Sequence, residues 1–544
     1  MKFELNHDWQ GNMSSPRSTL GEKTKIHLFL ILSVIWVFTG LIGNSPWIPA
    51  ESENISIVMD IVLNNSVITP LAASQDSINN PPLYPFIGAA FVKIFSSILA
   101  HHDAIRLSNF IWISLTLLTL GLTTRELWGV GFGRQAGLIF IASIGLIFNL
   151  HTIRPEIAAL LGFALALYGF SLYHRRPFRA SLVLGFGISI IFLSNGALFL
   201  LSIFITALTL LFLKQWRNKR YYLFCLISTI VALSIISPWV YFLYHSNPEI
   251  FFSWLNKVDA TNSDEFFFYI KNMLWFTWPS LPLFIFVLAK NINNINKLKK
   301  IHLPLFFSIS ILFTLSLNTN IDQINLMPLL LPFSVTAAGG IDLLRRSSAS
   351  ALNWFGILIF GFFGFIIWLF WFSTMTGFPE IIYNRIYFLS GNYEPKFEFL
   401  SFFFALLISG LWLYIIFTVK ITNRSAISNW AIGITMVWVT FIMLVSPFIN
   451  NRKSYAPVFQ DVKQHLSQSS SCLYTYNFSP NETNLLHYYS GIKGVDSNKE
   501  LQCRMILLSL NQDSIMPSEY ESWNQIWSGK RISRDKTYYI LLTK

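Results

Sequence analysis

Residues 45–53 read Ser-Pro-Trp-Ile-Pro-Ala-Glu-Ser-Glu and open the first long polar interruption in a very apolar chain. The interruption includes Asp60 and runs through residues 79–85, Asn-Asn-Pro-Pro-Leu-Tyr-Pro, into an apolar segment at 86–99. Acidic residues placed directly after a membrane span are candidates for chemistry at the membrane surface. The sequence therefore predicts that the fold and the site are arranged around this first loop, residues 44–104.

The composition is that of a polytopic membrane protein. Of 544 residues, 53% are hydrophobic and only 12% are charged, whereas about 25% are charged in a typical soluble domain. The formal net charge of +12 could suggest nucleic-acid binding, but basic residues in membrane proteins usually mark cytoplasmic loops. We therefore expect membrane lipids, and no nucleic acid, as partners.

Apolar segments predict a mainly α fold with about thirteen transmembrane helices, several shorter than the roughly 20 residues of a perpendicular crossing. The predicted spans are 26–43, 105–124, 136–150, 156–173, 180–193, 195–213, 221–243, 273–290, 303–317, 326–343, 353–374, 399–419 and 428–448. With the N-terminus inside, cytoplasmic segments hold 21 Lys and Arg residues, and the opposite loops before the C-terminal tail hold seven. This bias is what the positive-inside rule requires.

Three regions are predicted along the chain. Residues 1–25 form a cytoplasmic segment, residues 26–448 the transmembrane domain, and residues 449–544 a small extracytoplasmic α/β domain. The first apolar run has no clear cleavage signal, so we expect it to remain as a span.

Local patterns add detail outside the membrane. The segment 86–99 is too short to cross and predicts an interfacial helix. In the tail, residues 456–466 have the spacing of a helix and residues 538–542 that of a strand. Cys472 and Cys503 could pair as a disulfide or remain two buried thiols.

Glu51 is the first candidate for a catalytic residue. A carboxylate at the membrane surface can act as a general base or hold a divalent cation near a phosphate. If residues 53–64 are helical, Glu53 and Asp60 lie roughly on one face. The alternative is that these acidic side chains are merely solvated in an aqueous loop.

A second pair of charges lies in the predicted outer turn at 151–156. Arg154 and Glu156 sit where two spans meet, and ionisable residues beside the bilayer are functional candidates. Alternatively, Pro155 and Glu156 simply favour the start of a helix.

Two further polar residues have equally open interpretations. Arg106 could bind a lipid phosphate or pair with Asp103, and Asn195 could be only a turn residue. The sequence contains no Gly-rich phosphate loop and no nucleotide-binding pattern. A transferase of this kind would need a donor that is already in the membrane.

Together these features resemble the GT-C membrane glycosyltransferases of the aminoarabinose transferase and protein O-mannosyltransferase type. That family begins its first outer loop with an acidic pair, where this chain has Ala50-Glu51. Its Lys-Pro-Pro-Leu-Tyr-Tyr-Trp-like motif resembles residues 80–85, which include Asn80 and Tyr84. Residues 102–107, His-Asp-Ala-Ile-Arg-Leu, resemble the acidic-Ala-x-Arg-Leu segment that follows.

Later segments continue the resemblance. Arg154-Pro155-Glu156 falls where the family has a second outer carboxylate, and Asn195 falls in its Leu-x-Lys-Gly turn. Residues 328–332, Pro-Leu-Leu-Leu-Pro, resemble its late Leu-Pro-Leu-x-Pro span.

The resemblance implies an enzyme of the bacterial inner membrane. Such enzymes transfer a sugar from a polyprenyl-phosphate donor to a lipid, glycan or protein acceptor on the outer side. Glu51 and Glu156 would be the catalytic carboxylates, and a divalent metal ion could take part. The substrate-binding residues would be Glu53, Asp60, Asn80, Tyr84, Arg106, Arg154 and Asn195.

The departures from the family pattern keep a second interpretation open. The first Asp of the acidic pair is Ala50, and Asn80 and Asn195 replace two lysines. Asp322 and Asn325 stand where relatives show an Arg and a Tyr. Because cations hold phosphates, the chain could be a non-catalytic relative that binds lipid-linked glycans. A transporter is a third hypothesis, disfavoured by spans that are nearly free of charge.

Overall fold

The chain is mainly helical and carries a small mixed sheet near its C-terminal end. A computed structural model describes residues 21–255, 264–295, 297–419, 421–466, 472–495, 503–512, 516–532 and 535–544. Most of the predicted N-terminal segment, residues 1–20, lies outside these ranges. The expected class, mainly α with a small α/β part at the C-terminal end, is confirmed.

The helices of the part that precedes the sheet are described in chain order. They are α1 Glu22–Phe38, α2 Ser52–Asn64, α3 Leu83–Phe95, α4 His101–Trp128, α5 Phe132–Ile141, α6 Leu146–Asn149, α7 Glu156–Leu172, α8 Pro177–Asn195, α9 Leu200–Leu211, α10 Lys219–Ser246, α11 Pro248–Leu255, α12 Asp264–Phe276, α13 Ser280–Lys290, α14 Lys299–Leu315, α15 Leu330–Gly340, α16 Arg346–Thr376, α17 Glu380–Leu389, α18 Phe399–Thr418, α19 Asn423–Leu444 and α20 Ser446–Lys453. Short 3₁₀ helices lie at Ile292–Asn294, Gln323–Leu329 and Ile341–Leu343.

Within the described residues, seven helical segments are long and apolar enough to cross a membrane, or eight if one bent pair counts as a span. The bent pair, Phe267–Phe276 with Ser280–Lys290, turns by 96°. The predicted span at 273–290 is therefore broken at residues 277–279 and is not one straight helix. Pro279 explains the break, because proline disfavours helix at the residue before it and lacks an N–H donor. Shorter apolar helices include Glu156–Leu172 and Leu200–Leu211.

The long helices differ in how far protein covers them. The helical segment Gln323–Leu343 is buried throughout its most apolar window, whereas Arg346–Thr376 and Phe399–Thr418 are only 22% and 17% buried there. Both exposed helices have a mean hydropathy of 2.3 in that window. Helices that are apolar all round and exposed require a lipid environment. The fold therefore has a protein-covered centre and a lipid-facing periphery.

Helices α7 and α8 form a close antiparallel hairpin. A Cβ on Gly162 would lie 2.9 Å from the carbonyl oxygen of Gly187, and a Cβ on Gly169 would lie 3.1 Å from that of Ala180. Glycine is thus required for the close approach of the two backbones. Extending the register of these two pairs to the end of the hairpin places Glu156 opposite Leu193, two residues before Asn195, the last residue of α8.

The first loop contains two helices. Helix α2, Ser52–Asn64, matches the expected helix at 53–64, and α3, Leu83–Phe95, takes the place of the predicted interfacial helix at 86–99. Asn65 follows α2 with φ +53°, the left-handed conformation that Asn tolerates better than most residues.

The C-terminal domain packs two helices against a sheet. Its helices are α21 Ala456–His465 and α22 Pro480–Ser490, with a 3₁₀ turn at Ser518–Tyr520, and its strands are β1 Leu473–Tyr476, β2 Gly494–Val495, β3 Met505–Asn511, β4 Asn524–Gly529 and β5 Thr537–Thr543. The strand order is β2-β1-β3-β5-β4, parallel up to β3 and antiparallel after it. The predicted helix at 456–466 and strand at 538–542 are confirmed within a residue or two. A disulfide joins Cys472 and Cys503, whose Cα atoms lie 5.1 Å apart.

Candidate functional site

Glu51 lies at the start of α2 and forms a buried ion pair with Arg106 of α4. Arg106 donates from Nε to Glu51 Oε1 at 2.9 Å and from Nη2 to Oε2 at 2.6 Å. The backbone N–H groups of Trp47 and Ile153 each donate to the carboxylate at 3.0 Å. Glu51 and Arg106 are each only 2% exposed, so the carboxylate is closed off by four hydrogen bonds.

Arg106 is equally occupied on its other side. Its Nη groups also donate to the carbonyl oxygens of Asn44 and Ser45, and its Nη1 lies 3.5 Å from Asp103. Asp103 in turn accepts from the backbone N–H of Gly43. The guanidinium of Arg106 is therefore saturated by protein partners. One of them is Asp103, the partner that one of the two sequence-based alternatives expects.

Tyr84 of α3 fastens the first loop to the turn that carries Arg154. The fully buried Tyr84 donates its hydroxyl to Asn109 Oδ1 at 2.8 Å. Asn109 then donates to the carbonyl oxygens of Leu150 and Thr152. Through Asn109, Tyr84 thus helps to position the backbone at Leu150 and Thr152.

Asp60 is buried at the far end of α2 and is fully paired. It accepts from Lys493 Nζ at 2.8 Å, from Asn64 Nδ2 at 2.8 Å and from the hydroxyl of Ser66. Burial by itself raises the pKa of Asp60, but the hydrogen bonds from Lys493, Ser66 and Asn64 outweigh it and hold the pKa below its usual value. Because Lys493 belongs to the C-terminal domain, this pair connects that domain to the first loop.

A second, less enclosed group of charges surrounds Glu156 at the start of α7. The carboxylate interacts electrostatically with Arg154, Asp322 and Glu53. Its Oε2 atom is buried without a hydrogen-bond partner among the described residues. A buried carboxylate oxygen without a donor is costly for a fold, so such an atom marks a position where a ligand could supply the missing proton.

Arg154 and Glu53 flank Glu156 with their own partners. Arg154 donates to Asp322, which also caps the 3₁₀ helix Gln323–Leu329 through the N–H of Ile324 at 3.2 Å. Glu53 Oε1 accepts from Asn79 Nδ2 at 2.7 Å. The side chains of Arg154 and Glu53 are partly exposed, unlike that of Glu51.

The two predicted asparagines differ in their surroundings. Asn195 is the last residue of α8, and its Oδ1 atom, like Ser194 Oγ, is buried with no partner in the described part of the chain. Asn80 is exposed in the segment before α3. The structure therefore brings Glu53, Arg154 and Glu156 close enough to interact electrostatically and places Asn80 on the surface.

A polar seam joins α2 and the loop after it to α22 of the C-terminal domain. Ser52 donates to Asn481 at 2.6 Å, and Ser56 Oγ lies 2.9 Å from Nδ1 of the buried His487. The backbone N–H of Ser74 donates to Asn484 at 3.1 Å. We define these contacts, with the Asp60–Lys493 pair, as the docking seam.

Sequence reasoning missed most partners of the site residues. Lys493 and His487 lie more than 400 positions from the first-loop residues that they contact, and no local pattern reports such contacts. For Asp322 a signal existed, since it follows a turn and precedes an apolar run, as an N-cap residue does.

Metal-binding residues are not clustered in the part of the chain that the structure describes. No group of three or more His, Cys, Asp or Glu side chains there is placed to hold a metal ion.

Comparisons with known proteins bear on the fold. No protein-family model matches the sequence. The chain is 22% identical, over 336 residues, to the undecaprenyl phosphate-alpha-4-amino-4-deoxy-L-arabinose arabinosyl transferase 1 of Pseudomonas fluorescens. The match covers 59% of this chain and spans 58% of the length of that transferase.

Two solved structures extend the comparison. ArnT from Cupriavidus metallidurans, bound to undecaprenyl phosphate, superposes with a TM-score of 0.71 at 14% identity, covering 96% of this chain and 98% of that chain. The oligosaccharyltransferase AglB from Archaeoglobus fulgidus, in complex with an inhibitory peptide and a dolichol-phosphate, superposes with a TM-score of 0.51 at 11% identity, covering 89% and 70%. The chain therefore has the GT-C fold of polytopic membrane glycosyltransferases, as the sequence resemblance implies.

Proposed function

We propose that this protein is a membrane glycosyltransferase that moves a sugar from a polyprenyl-phosphate donor to a lipid, glycan or protein acceptor. One observation carries the proposal: the fold matches that of an undecaprenyl-phosphate-binding transferase over nearly the whole of both chains. A fold alone does not define an activity, so the activity must also be supported by the geometry of the site.

We assign the acid–base role to Glu156, with Glu53 beside it, and a positioning role to Glu51. A general base must reach the proton that it removes. Glu156 has one carboxylate oxygen without a donor among the described residues, whereas both oxygens of Glu51 are filled by Arg106 and backbone N–H groups. Glu51 and Arg106 instead fix where the first loop meets α4.

In the proposed reaction, Glu156 takes the proton of an acceptor hydroxyl or amine as that group attacks the anomeric carbon of the donor. The bond between this carbon and the phosphate oxygen breaks, and the polyprenyl phosphate leaves with the electron pair. Direct displacement inverts the anomeric centre. Arg154 is the cation placed to offset the charge on the phosphate.

A divalent cation belongs to this proposal as a source of positive charge that would stabilise the leaving phosphate. Glu53 and Glu156 are the carboxylates that would hold it, because Mg²⁺ commonly takes one or two protein carboxylates together with substrate phosphate oxygens. Their electrostatic interaction supports this assignment.

The proposed topology retains thirteen spans, a cytoplasmic N-terminus and a C-terminal domain outside the cytoplasm, in the bacterial inner membrane. Its support is the distribution of Lys and Arg along the sequence. The variants Lys530→Cys and Lys219→Cys test this topology, with the new thiol of each labelled from either side of sealed vesicles. The proposal expects opposite accessibility for the two positions and is wrong if they label from the same side.

A second candidate function is binding of the lipid-linked sugar without turnover. Both arginines predicted to contact substrate are engaged by carboxylates, Arg106 by Glu51 and Arg154 by Asp322. Because both guanidinium groups are already paired, less positive charge is available to stabilise a leaving phosphate, which favours binding without turnover.

One assay separates the two candidates. Membranes containing the chain are incubated with radiolabelled undecaprenyl-phosphate sugars and total cell-envelope lipid. Label that moves to an acceptor supports the transferase. Saturable donor binding with no transfer from any donor supports the non-catalytic alternative.

A further inference from the structure

A cavity of about 420 Å³ opens between the C-terminal domain and the start of α4. It is separate from the carboxylate region, since neither Glu53 nor Glu156 lines it. Its lining includes Met59 and Leu63 of α2, His101 of α4, Gln460 and Lys463 of α21, and Tyr488 of α22. One side of the cavity is thus apolar and the other is polar.

The polar side carries uncompensated positive charge. Lys463 is exposed, and none of the described ion pairs involves it. Among the described residues that line the cavity there is no carboxylate, and the nearby Asp103 is directed to Gly43 and Arg106. His102 is hydrogen-bonded to the Tyr488 hydroxyl at 2.7 Å. The chemistry of this side therefore suits an anion.

Helix α4 fixes the depth of the cavity in the membrane. It has 28 residues from His101 to Trp128, a length of ~42 Å at about 1.5 Å per residue. A bilayer with its headgroup regions is about 40–45 Å thick. With Arg125 at one end of the helix, His101 lies at the level of the headgroups on the opposite face.

Exposed apolar side chains border the cavity on its membrane side. Leu63 is 48% exposed and lines the cavity, while Ile98, between the lining residues Ser96 and Leu99, is 80% exposed. Large apolar residues at this exposure are expected where a surface meets acyl chains. The cavity thus combines an apolar rim with a cation at headgroup depth.

We propose that this cavity binds the phosphate headgroup of an anionic phospholipid, with Lys463 as its principal cation and the Leu63–Ile98 rim against the acyl chains. The match in charge and depth selects a lipid over a soluble anion. Such a site would hold the C-terminal domain at the membrane surface. The inference does not depend on the proposed transferase activity.

Native mass spectrometry of the full chain tests the proposal. The delipidated protein in a neutral detergent is titrated with phosphatidylglycerol or with phosphatidylcholine. We expect the protein to bind phosphatidylglycerol more tightly than phosphatidylcholine. Lys463→Gln should lower the affinity for phosphatidylglycerol at one site about fivefold, which is the expected effect of losing one lysine near a membrane surface. Lys530→Gln, a change at a lysine of the same domain that does not line the cavity, should bind as the native chain does.

Two further arms complete the test. Gln460→Glu places a negative charge in the polar lining of the cavity and should weaken phosphatidylglycerol binding even if Lys463→Gln fails to fold. Ile98→Ser should weaken lipid binding, and millimolar inorganic phosphate should not displace the lipid. Unchanged phosphatidylglycerol binding in the foldable variants, equal binding of phosphatidylcholine, or full displacement by phosphate would each overturn the proposal.

Discussion

The carboxylate of Glu51 receives two hydrogen bonds from the Arg106 guanidinium, at 2.9 and 2.6 Å, although the two residues are 55 positions apart. The pair joins the start of α2 to the N-terminal end of α4, and the N–H of Ile153 adds the turn before α7. The first loop is therefore held in place by a buried charge pair.

Removing one partner of that pair should destabilise the protein. Glu51→Gln leaves the buried Arg106 guanidinium without its closer counter-charge, with Asp103 remaining at 3.5 Å, and breaking a buried pair typically costs about 3–5 kcal/mol. Thermal unfolding of the purified variants in detergent should show a clear fall for Glu51→Gln and little change for Glu53→Gln. Native stability in Glu51→Gln would remove the positioning role assigned to the pair.

The Arg154–Asp322 pair should control binding of the donor phosphate. Asp322→Asn keeps an N-cap side chain for Ile324 but removes the charge that engages Arg154, so donor affinity should rise several-fold. Arg154→Gln should lower it about tenfold, the usual scale for a charged hydrogen bond. Donor affinity measured with immobilised polyprenyl-phosphate sugar checks both changes, and opposite or absent shifts would exclude Arg154 as the phosphate cation.

His487 should make the docking seam sensitive to acid. Burial and the nearby Lys493 lower the pKa of His487 from 6.5 to about 4. Between these values the unfolded state binds more protons than the folded state, so stability falls as the pH is lowered from about 6.5 to 4, by about 3 kcal/mol in total. His487→Gln should flatten this part of the pH–stability curve. An unchanged curve would show that His487 does not titrate across it.

The Asp60–Lys493 pair should contribute to docking through direct coupling. Asp60→Asn and Lys493→Met should together destabilise the protein less than the sum of the single changes, with a coupling free energy of about 1 kcal/mol. Limited proteolysis between the transmembrane part and the C-terminal domain should accelerate in either single variant. Additive effects would show that the 2.8 Å contact carries no coupling.

The sequence predicts the parts of this fold that depend on local pattern. Hydropathy and the pattern of the first loop were sufficient for the helical membrane class and for helix α2. The helix at 456–466 and the strand at 538–542 follow from residue spacing. The break at Pro279 was missed because a window of apolar residues was read as one span.

The roles within the site depend on contacts that have no local signal. From sequence, Glu51 is the first candidate for the catalytic carboxylate and Glu156 the second. Only the fold shows that Arg106 pairs with the Glu51 carboxylate. It also shows that Glu156 has a buried oxygen without a donor in the described part of the chain. His487 and Lys493 reach α2 through the docking seam, and tertiary packing alone decides such pairings.

The most direct measurement of the central claim is the turnover of Glu156→Gln beside the native protein. Glu249→Gln, the same change at an exposed carboxylate of α11, is the matched control and should keep native turnover. With a labelled polyprenyl-phosphate sugar and envelope lipid, we expect Glu156→Gln to lose about 10²–10⁴-fold in turnover, the usual contribution of a general base. Donor binding and thermal stability should stay near native values. Native turnover in folded Glu156→Gln would contradict the assignment of the acid–base role.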